Sequence, residues 1–365
     1  MAKANLRLLI ISALICYNPV SSATFENVSV ILTWRSGTQL QKNVTIRSDN
    51  TLRSHVGEFG EILIQNQNVP RLGENSISNL VKVTHLHLTN SKLREIKPGA
   101  FSNLPLLTDL NLSGNLLEEI PNGIFANLKF QTLYLDNNRI STIGDSAFNN
   151  LQMAYLFIDD NKISEWQSDW FSGTPLESIS MTNNHLKELP RLAFEFLWHL
   201  DPARDVILRN VALGHNGLQH VDPFAFEGIK MVFSLNLQNN LLTHLEPGLF
   251  DFTERIDLLD LSNNRITQLY FEAFRKTKVS HLNVHNNLIE CLSTDIFNTT
   301  ELETVNVGSN PISCGCVKTW MEWYQRSEKP EVQNFNNVKK KCRSSSSGIR
   351  SSQVLFAFVF VYFLV

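Results

Sequence analysis

The stretch LLDLSNNRITQL, Leu258 to Leu269, recurs along the chain at a fixed interval, and that recurrence restricts the fold more than any other feature. LTDLNLSGNLLEEI (107–120), FQTLYLDNNRISTI (130–143), VFSLNLQNNLLTHL (232–245), VSHLNVHNNLIECL (279–292) and LETVNVGSNPISCG (302–315) carry the same unit. Its asparagine, the last residue of L-x-L-x-x-N, falls at 115, 138, 161, 184, 216, 240, 264, 287 and 310, and Ser91 and Gln67 hold the place in the two preceding units. Successive steps are 24, 24, 23, 23, 23, 32, 24, 24, 23 and 23 residues. In nine consecutive units a phenylalanine follows ten residues after the marker, at 101, 125, 148, 171, 194, 226, 250, 274 and 297. A period of this size means stacked coils, because one coil cannot bury its own apolar face.

Each position in the unit has a physical task. Leu259 and Leu261 alternate with Asp260, the period of a short strand with one side in the coil and one in solvent. After Leu261 the chain must turn away, which leaves backbone groups without strand partners. A buried Asn264 offers both an amide donor and a carbonyl acceptor to those groups and to the next coil, so the equivalent asparagines should form a ladder. Ile266 and Leu269 line the descending side and Phe274 the back, each phenylalanine contributing ~1.5–3 kcal/mol of burial. The 32-residue step is an insertion near 195–205, within EFLWHLDPARD, on the back or ascending side. Trp198 there reads as packing, with a partner contact as the alternative.

Both ends resemble processing signals. Lys3 and Arg7 accompany an apolar run from Leu6 to Cys16, and the small residues Ser21 and Ala23 follow, so residues 1–23 read as a secretory signal peptide. Val354 to Val365 is a run of twelve apolar residues, whereas a membrane-spanning helix needs about 20. With the small residues 344–348 before it, this is the layout of a glycosylphosphatidylinositol (GPI) attachment signal: lipid on Ser345 or Ser346 within a linker 343–353, and a removed tail 354–365. Plain secretion is the alternative. Asn27, Asn43, Asn111 and Asn298 each begin an Asn-x-Ser/Thr sequon, which agrees with the secretory route. The net charge of −3 gives no field suited to nucleic acid.

The repeat resembles the typical-class extracellular leucine-rich repeat (LRR) family over about Glu61 to Ser313. The resemblance implies an α/β solenoid: a curved horseshoe of about eleven coils with a parallel concave sheet and a cap at each end. Residues 60–313 would be the repeats. Residues 24–59, with β-branched runs around a Ser36-Gly37 turn, read as a β-hairpin cap; the cysteine pairs that many family members carry there are missing. The layout is closest to small GPI-anchored LRR adhesion proteins of the connectin and chaoptin kind. That implies a cell-surface role in recognition or adhesion, homophilic or toward another extracellular protein or co-receptor. The alternative is a secreted immune pattern-recognition protein or a non-catalytic carrier subunit.

Beyond the leader, four cysteines remain: Cys291, Cys314, Cys316 and Cys342. Cys291 and Cys314 each follow a ladder asparagine by four residues, so stacking should set them about one strand spacing apart, ~4.8 Å. Of the three pairings, Cys291–Cys314 with Cys316–Cys342 is therefore expected, closing a C-terminal cap at 314–342. A zinc site on Cys-x-Cys is the alternative. The family's cap usually holds all four of its cysteines, which leaves the pairing open here.

No phosphate loop, nucleophile elbow or metalloprotease motif is present, so neither enzyme nor cofactor is implied. Candidate function lies in the outward row of the strands. Tyr134, Tyr155 and Phe157 fall on neighbouring strands beside Asp136 and Asp159, the mix of aromatics and charge typical of protein-binding hot spots. The two aspartates admit three readings: solvated acids, a calcium or basic-partner contact, or an acid–base pair. His85 with His87 lacks a third ligand, and His281 and His285 stand too far apart along a strand to chelate one ion, so both pairs read as surface polar residues and no metal is expected. A glycan on Asn111, in the same row, would shield one side of the aromatics.

Overall fold

A computed structural model describes residues 23–34, 41–56, 58–125, 128–199, 207–325 and 330–345. The leader up to residue 22, the Ser36-Gly37 turn, the Trp198 side chain, Ser346 and the tail 354–365 lie outside the described residues.

Fourteen strands form one sheet: β1 (Phe25–Thr33), β2 (Gln41–Asp49), β3 (Glu61–Gln65), β4 (His85–Thr89), β5 (Asp109–Asn111), β6 (Thr132–Tyr134), β7 (Tyr155–Phe157), β8 (Ser178–Ser180), β9 (Ile207–Ala212), β10 (Met231–Asn236), β11 (Arg255–Asp260), β12 (Lys278–Asn283), β13 (Thr304–Asn306) and β14 (Glu331–Gln333). The spatial order is β2-β1-β3 and then chain order to β14. From β3 onward every pairing is parallel and in register, Leu110 beside Leu133 beside Leu156 beside Ile179. β1 and β2 form the expected hairpin, and β1 pairs antiparallel with β3, closing the first coil.

The expected ladder is present. Asn264 accepts from the Leu242 N–H at 3.1 Å and donates to the Leu237 and Leu261 carbonyls at 2.9 and 3.0 Å. The same pattern runs from Asn115 to Asn310. Its direction differs from the expectation: each asparagine reaches back to the preceding coil. The doublet Asn263-Asn264 divides two tasks. Asn263 takes the left-handed conformation that turns the chain off the strand (φ 54°), as do Asn137, Asp160, Asn183, Asn239 and Asn286 at the same place. Gly114 holds this position in its coil at φ 70°, where a Cβ would meet the side-chain Oδ1 of Asn90 at 2.0 Å. At the first rung Gln67 accepts from the Ser29 N–H at 2.9 Å and so fastens the hairpin cap to the ladder.

The phenylalanines form a spine down the back. Phe125 and Phe148 are 6.1 Å apart between ring centroids, Phe148 and Phe171 5.4 Å, Phe226 and Phe250 5.5 Å, and Phe250 and Phe274 5.6 Å, all buried. Between Phe171 and Phe194 the file is widened by two extra aromatics. Phe196, in the short 3₁₀ helix Glu195–His199, lies 5.2 Å from Phe171, and Trp166 lies 5.2 Å from Phe194. The insertion thus adds its apolar residues Phe196 and Leu197 to the core on the back.

The C-terminal cap corrects the disulfide expectation. The bonds are Cys291–Cys316 and Cys314–Cys342. Stacking alone would place Cys314 beside Cys291, but helix Cys314–Tyr324 starts there, with the Ser313 hydroxyl accepting from the Cys316 N–H at 3.2 Å. The chain leaves the coil path at that cap. Cys314 is turned outward, toward helix Phe335–Ser345, and Cys316 is carried into the core against Cys291. Trp320 is wholly buried under the last coil and donates to the Leu292 carbonyl at 2.9 Å. β14 then adds a final parallel strand to β13. No helix among the described residues is long and apolar enough to cross a membrane.

Candidate functional site

In-register stacking brings two of the three expected aromatics into direct contact. Tyr134 and Phe157 are Cα partners on β6 and β7, and their rings stack 5.1 Å apart at an interplanar angle of 8°. Their planes therefore stand like adjacent pages across the strands, each half-exposed on the concave face. Tyr155, two residues before Phe157, points to the same side but has another partner. Its hydroxyl donates to Glu177 at 3.2 Å, and the same Glu177 oxygen accepts from Arg209 Nε at 2.9 Å. Nothing in the repeat marks Glu177 and Arg209 as site residues, because both precede the L-x-L unit and the insertion separates them in sequence.

The aspartates carry a structural task that sequence reading missed. In five coils the residue between the two apolar positions of the strand motif is Asn or Asp, and its side chain accepts from the N–H two residues on. Asn111 does this for Ser113 (2.9 Å), Asn236 for Gln238 (3.0 Å), Asp260 for Ser262 (2.8 Å) and Asn306 for Gly308 (3.1 Å). Tyr134, Phe157 and Ser180 occupy that place in their coils. The N–H groups of Asp159 and Thr182 are then satisfied from the preceding coil: Asp136 accepts from Asp159 at 2.9 Å, and Asp159 accepts from Thr182 at 2.6 Å. Ser180 also donates to Asp159 at 2.6 Å. Asp136 thus makes up for the ring of Phe157, and Asp159 for Ser180, at the place where asparagine otherwise caps the strand end. Burial pushes the Asp136 carboxyl up to about 6, against the bond from Asp159, and burial also raises Asp159 despite its donors.

The remaining candidates are placed as follows. His85 pairs with Asp109 at 3.2 Å, and burial lowers the pKa of His87 although Glu61 stands 3.8 Å away. His281 contacts the Thr304 hydroxyl at 2.9 Å. Among the described residues no group of three or more His, Cys, Asp or Glu is arranged to hold a metal ion. Asn27, Asn43 and Asn298 are exposed, whereas Asn111 is half-buried beside Tyr134. Past the insertion β9 to β12 lengthen to six residues, and Ile207, Phe233 and Leu258 stand exposed along them. The sequence signal is the change from Leu107, Phe130 and Met153 to the β-branched Val232, Ile256 and Val279 three residues before the strand leucine.

Residues 70–201 match the BspA-type leucine-rich repeat region in six copies, and residues 207–266 match a second leucine-rich repeat model. With the fold described above, this makes the chain a leucine-rich-repeat protein. It is similar to a chain of the Toll–Spatzle complex of Drosophila, a hub in development and innate immunity, with a TM-score of 0.58 and 23% identity over 72% of this chain and 36% of that one. It is also similar to a chain of the octameric complex of Latrophilin 3, Unc5D and the LRR part of FLRT2, with a TM-score of 0.51 and 21% identity over 69% and 83% of the two chains. At these identities the likeness establishes the fold, and this chain spans about a third of the Toll-complex chain it matches. A search of curated proteins found no match.

Proposed function

We propose that this chain is a non-enzymatic recognition protein of the cell surface that binds an extracellular protein through its concave face. The Tyr134–Phe157 stack carries the reading. Two rings half-exposed on a rigid sheet, at positions where other coils place a strand-capping Asn or Asp, have no folding task to account for them. Tyr155, with Glu177 and Arg209, forms the adjoining polar edge. Asp136 and Asp159 already hold backbone and hydroxyl donors, so they set the floor of the contact and are poorly placed for acid–base work. The Toll and FLRT2 structures are complexes with other proteins, which agrees with this use of the fold.

The finer reading keeps the signal peptide 1–23, GPI attachment at Ser345 or Ser346, glycans on the sequons, and kinship with connectin-like adhesion proteins. The partner would be a co-receptor or a second copy of the chain on an apposed cell, and no nucleic acid is involved. A phosphatidylinositol-specific phospholipase should release the protein from intact cells; native protein free in the medium without that treatment favours the secreted alternative. Alanine at Tyr134, Tyr155 and Phe157 together should abolish partner binding while leaving the fold intact. Unchanged binding would remove the site assignment.

A further inference from the structure

The ring stack on the concave face has one open end, and a modification sequon faces it. Tyr134 is the Cα partner of Phe157 on one side and of Asn111 on the other. Because the two rings lie nearly parallel, 5.1 Å apart along the direction from strand to strand, one face of Tyr134 is covered by Phe157 and the opposite face looks toward Asn111. The Asn111 side chain is oriented by its Oδ1, which accepts from the Ser113 N–H at 2.9 Å. That contact leaves Nδ2 to point away from the strand end, and among the described residues it has no protein acceptor. Asn236, Asn283 and Asn306 hold the same place in other coils, but Gln238, His285 and Gly308 follow them at the second position. Of these asparagines, the one beside the aromatic stack is the one that begins a sequon.

We propose that Asn111 carries an N-linked glycan whose first N-acetylglucosamine lies on the open face of Tyr134, as the third layer of the stack begun by Phe157 and Tyr134. In the attachment step the amide Nδ2 of Asn111 forms a bond to C1 of the sugar. The C1–O bond to a lipid diphosphate donor breaks, the diphosphate leaves with the electron pair, and Nδ2 gives up one proton. The axial C–H groups of a β-linked pyranose form a flat apolar face, and an aromatic ring presents its electron-rich face to them. Strand spacing of ~4.8 Å is close to the separation that such a contact requires. The glycan then covers Tyr134 and confines a protein partner to the side of Phe157, Tyr155 and Glu177. The inference rests on the secretory-pathway reading and is independent of the identity of any partner.

The test uses the full chain expressed in a eukaryotic secretory host. Mass spectrometry should find Asn111 occupied, and native digestion with a peptide:N-glycosidase should release its glycan at least ten-fold more slowly than that of the exposed Asn43. Tyr134→Ser should bring the two rates together. Ser113→Ala keeps the Asn111 side chain and the backbone N–H it accepts from, and removes only the sequon. This variant should lower the melting temperature of the wild type but not of the Tyr134→Ser chain. An unmodified Asn111 in a chain glycosylated at Asn43 would overturn the proposal, as would equal release rates in the wild type. A chain unmodified at every sequon would overturn the secretory reading together with it.

Discussion

The ladder makes an unequal set of rungs, and the inequality predicts where an alanine is felt most. Along the middle of the stack each strand-end carbonyl receives two asparagine amides: Leu237 takes those of Asn240 and Asn264, and Leu261 those of Asn264 and Asn287. Asn264→Ala therefore leaves both carbonyls with a remaining donor and orphans one N–H, that of Leu242. The expected loss is ~1–3 kcal/mol. Asn115 stands differently. It accepts from both Ser91 and Leu93, at 2.9 and 3.1 Å, and donates to the Leu88 carbonyl at 2.7 Å. Ser91, one rung earlier, is too short to reach that carbonyl and donates instead to Thr89. Asn115→Ala thus orphans two amides and deprives Leu88 of its ladder donor, for roughly 3–6 kcal/mol. Because a solenoid opens locally, native-state hydrogen exchange is the suitable assay. The Leu93 amide should lose protection by more than the Leu242 amide does in its own variant, with distant rungs such as Ile289 unaffected in either. Equal losses at the two sites, or losses under about 1 kcal/mol at both, would refute the reasoning.

Three further outcomes follow from particular contacts. The Asp136 carboxyl, raised to about 6 mainly by burial, is ionised at a cost near neutral pH; the folded chain takes up a proton as pH falls through 6, so its contribution to stability improves from pH 7 toward pH 4. Asp136→Asn keeps the acceptor for Asp159 and should stabilise the chain at pH 7 by ~1–2 kcal/mol after allowance for solvent screening, with the gain vanishing near pH 4 in paired thermal melts. Non-reducing peptide mapping should recover Cys291 joined to Cys316 and Cys314 joined to Cys342; a Cys291–Cys314 peptide would mean that the helix starting at Cys314 does not set the pairing. Phe250→Ala, which removes a wholly buried ring between Phe226 and Phe274, should cost ~3–5 kcal/mol by denaturant titration. A loss below about 1 kcal/mol would show that the spine is not a continuous packed file.

Much of the architecture was legible because it repeats. A period seen nine times over fixes the strand, the ladder asparagine and the back-side phenylalanine without reference to anything outside the chain. Legibility failed where the repeat ends or is broken. Cys314 sits at the place of Cys291 in the pattern, but a helix cap at Ser313 breaks the equivalence that the pairing argument needed. Glu177 and Arg209 are brought to Tyr155 across a 32-residue step, and no spacing rule reports such a contact. The aspartates at 136 and 159 show a subtler limit. Their residue type suggested a charged contact, while their position shows them replacing the acceptors that Phe157 and Ser180 displaced. That compensation can be read only from which N–H groups lack a partner in their own coil.

Site-specific photocrosslinking tests the functional claim most directly. A benzophenone side chain is placed at Phe157, on the concave face, or at the exposed Phe252, which lies off the sheet near Phe224. The full-length protein is then irradiated on the surface of cells that bind it. The concave-face account predicts a discrete protein adduct from position 157 and none from position 252. An adduct from 252 alone would place the contact away from the concave sheet and contradict it.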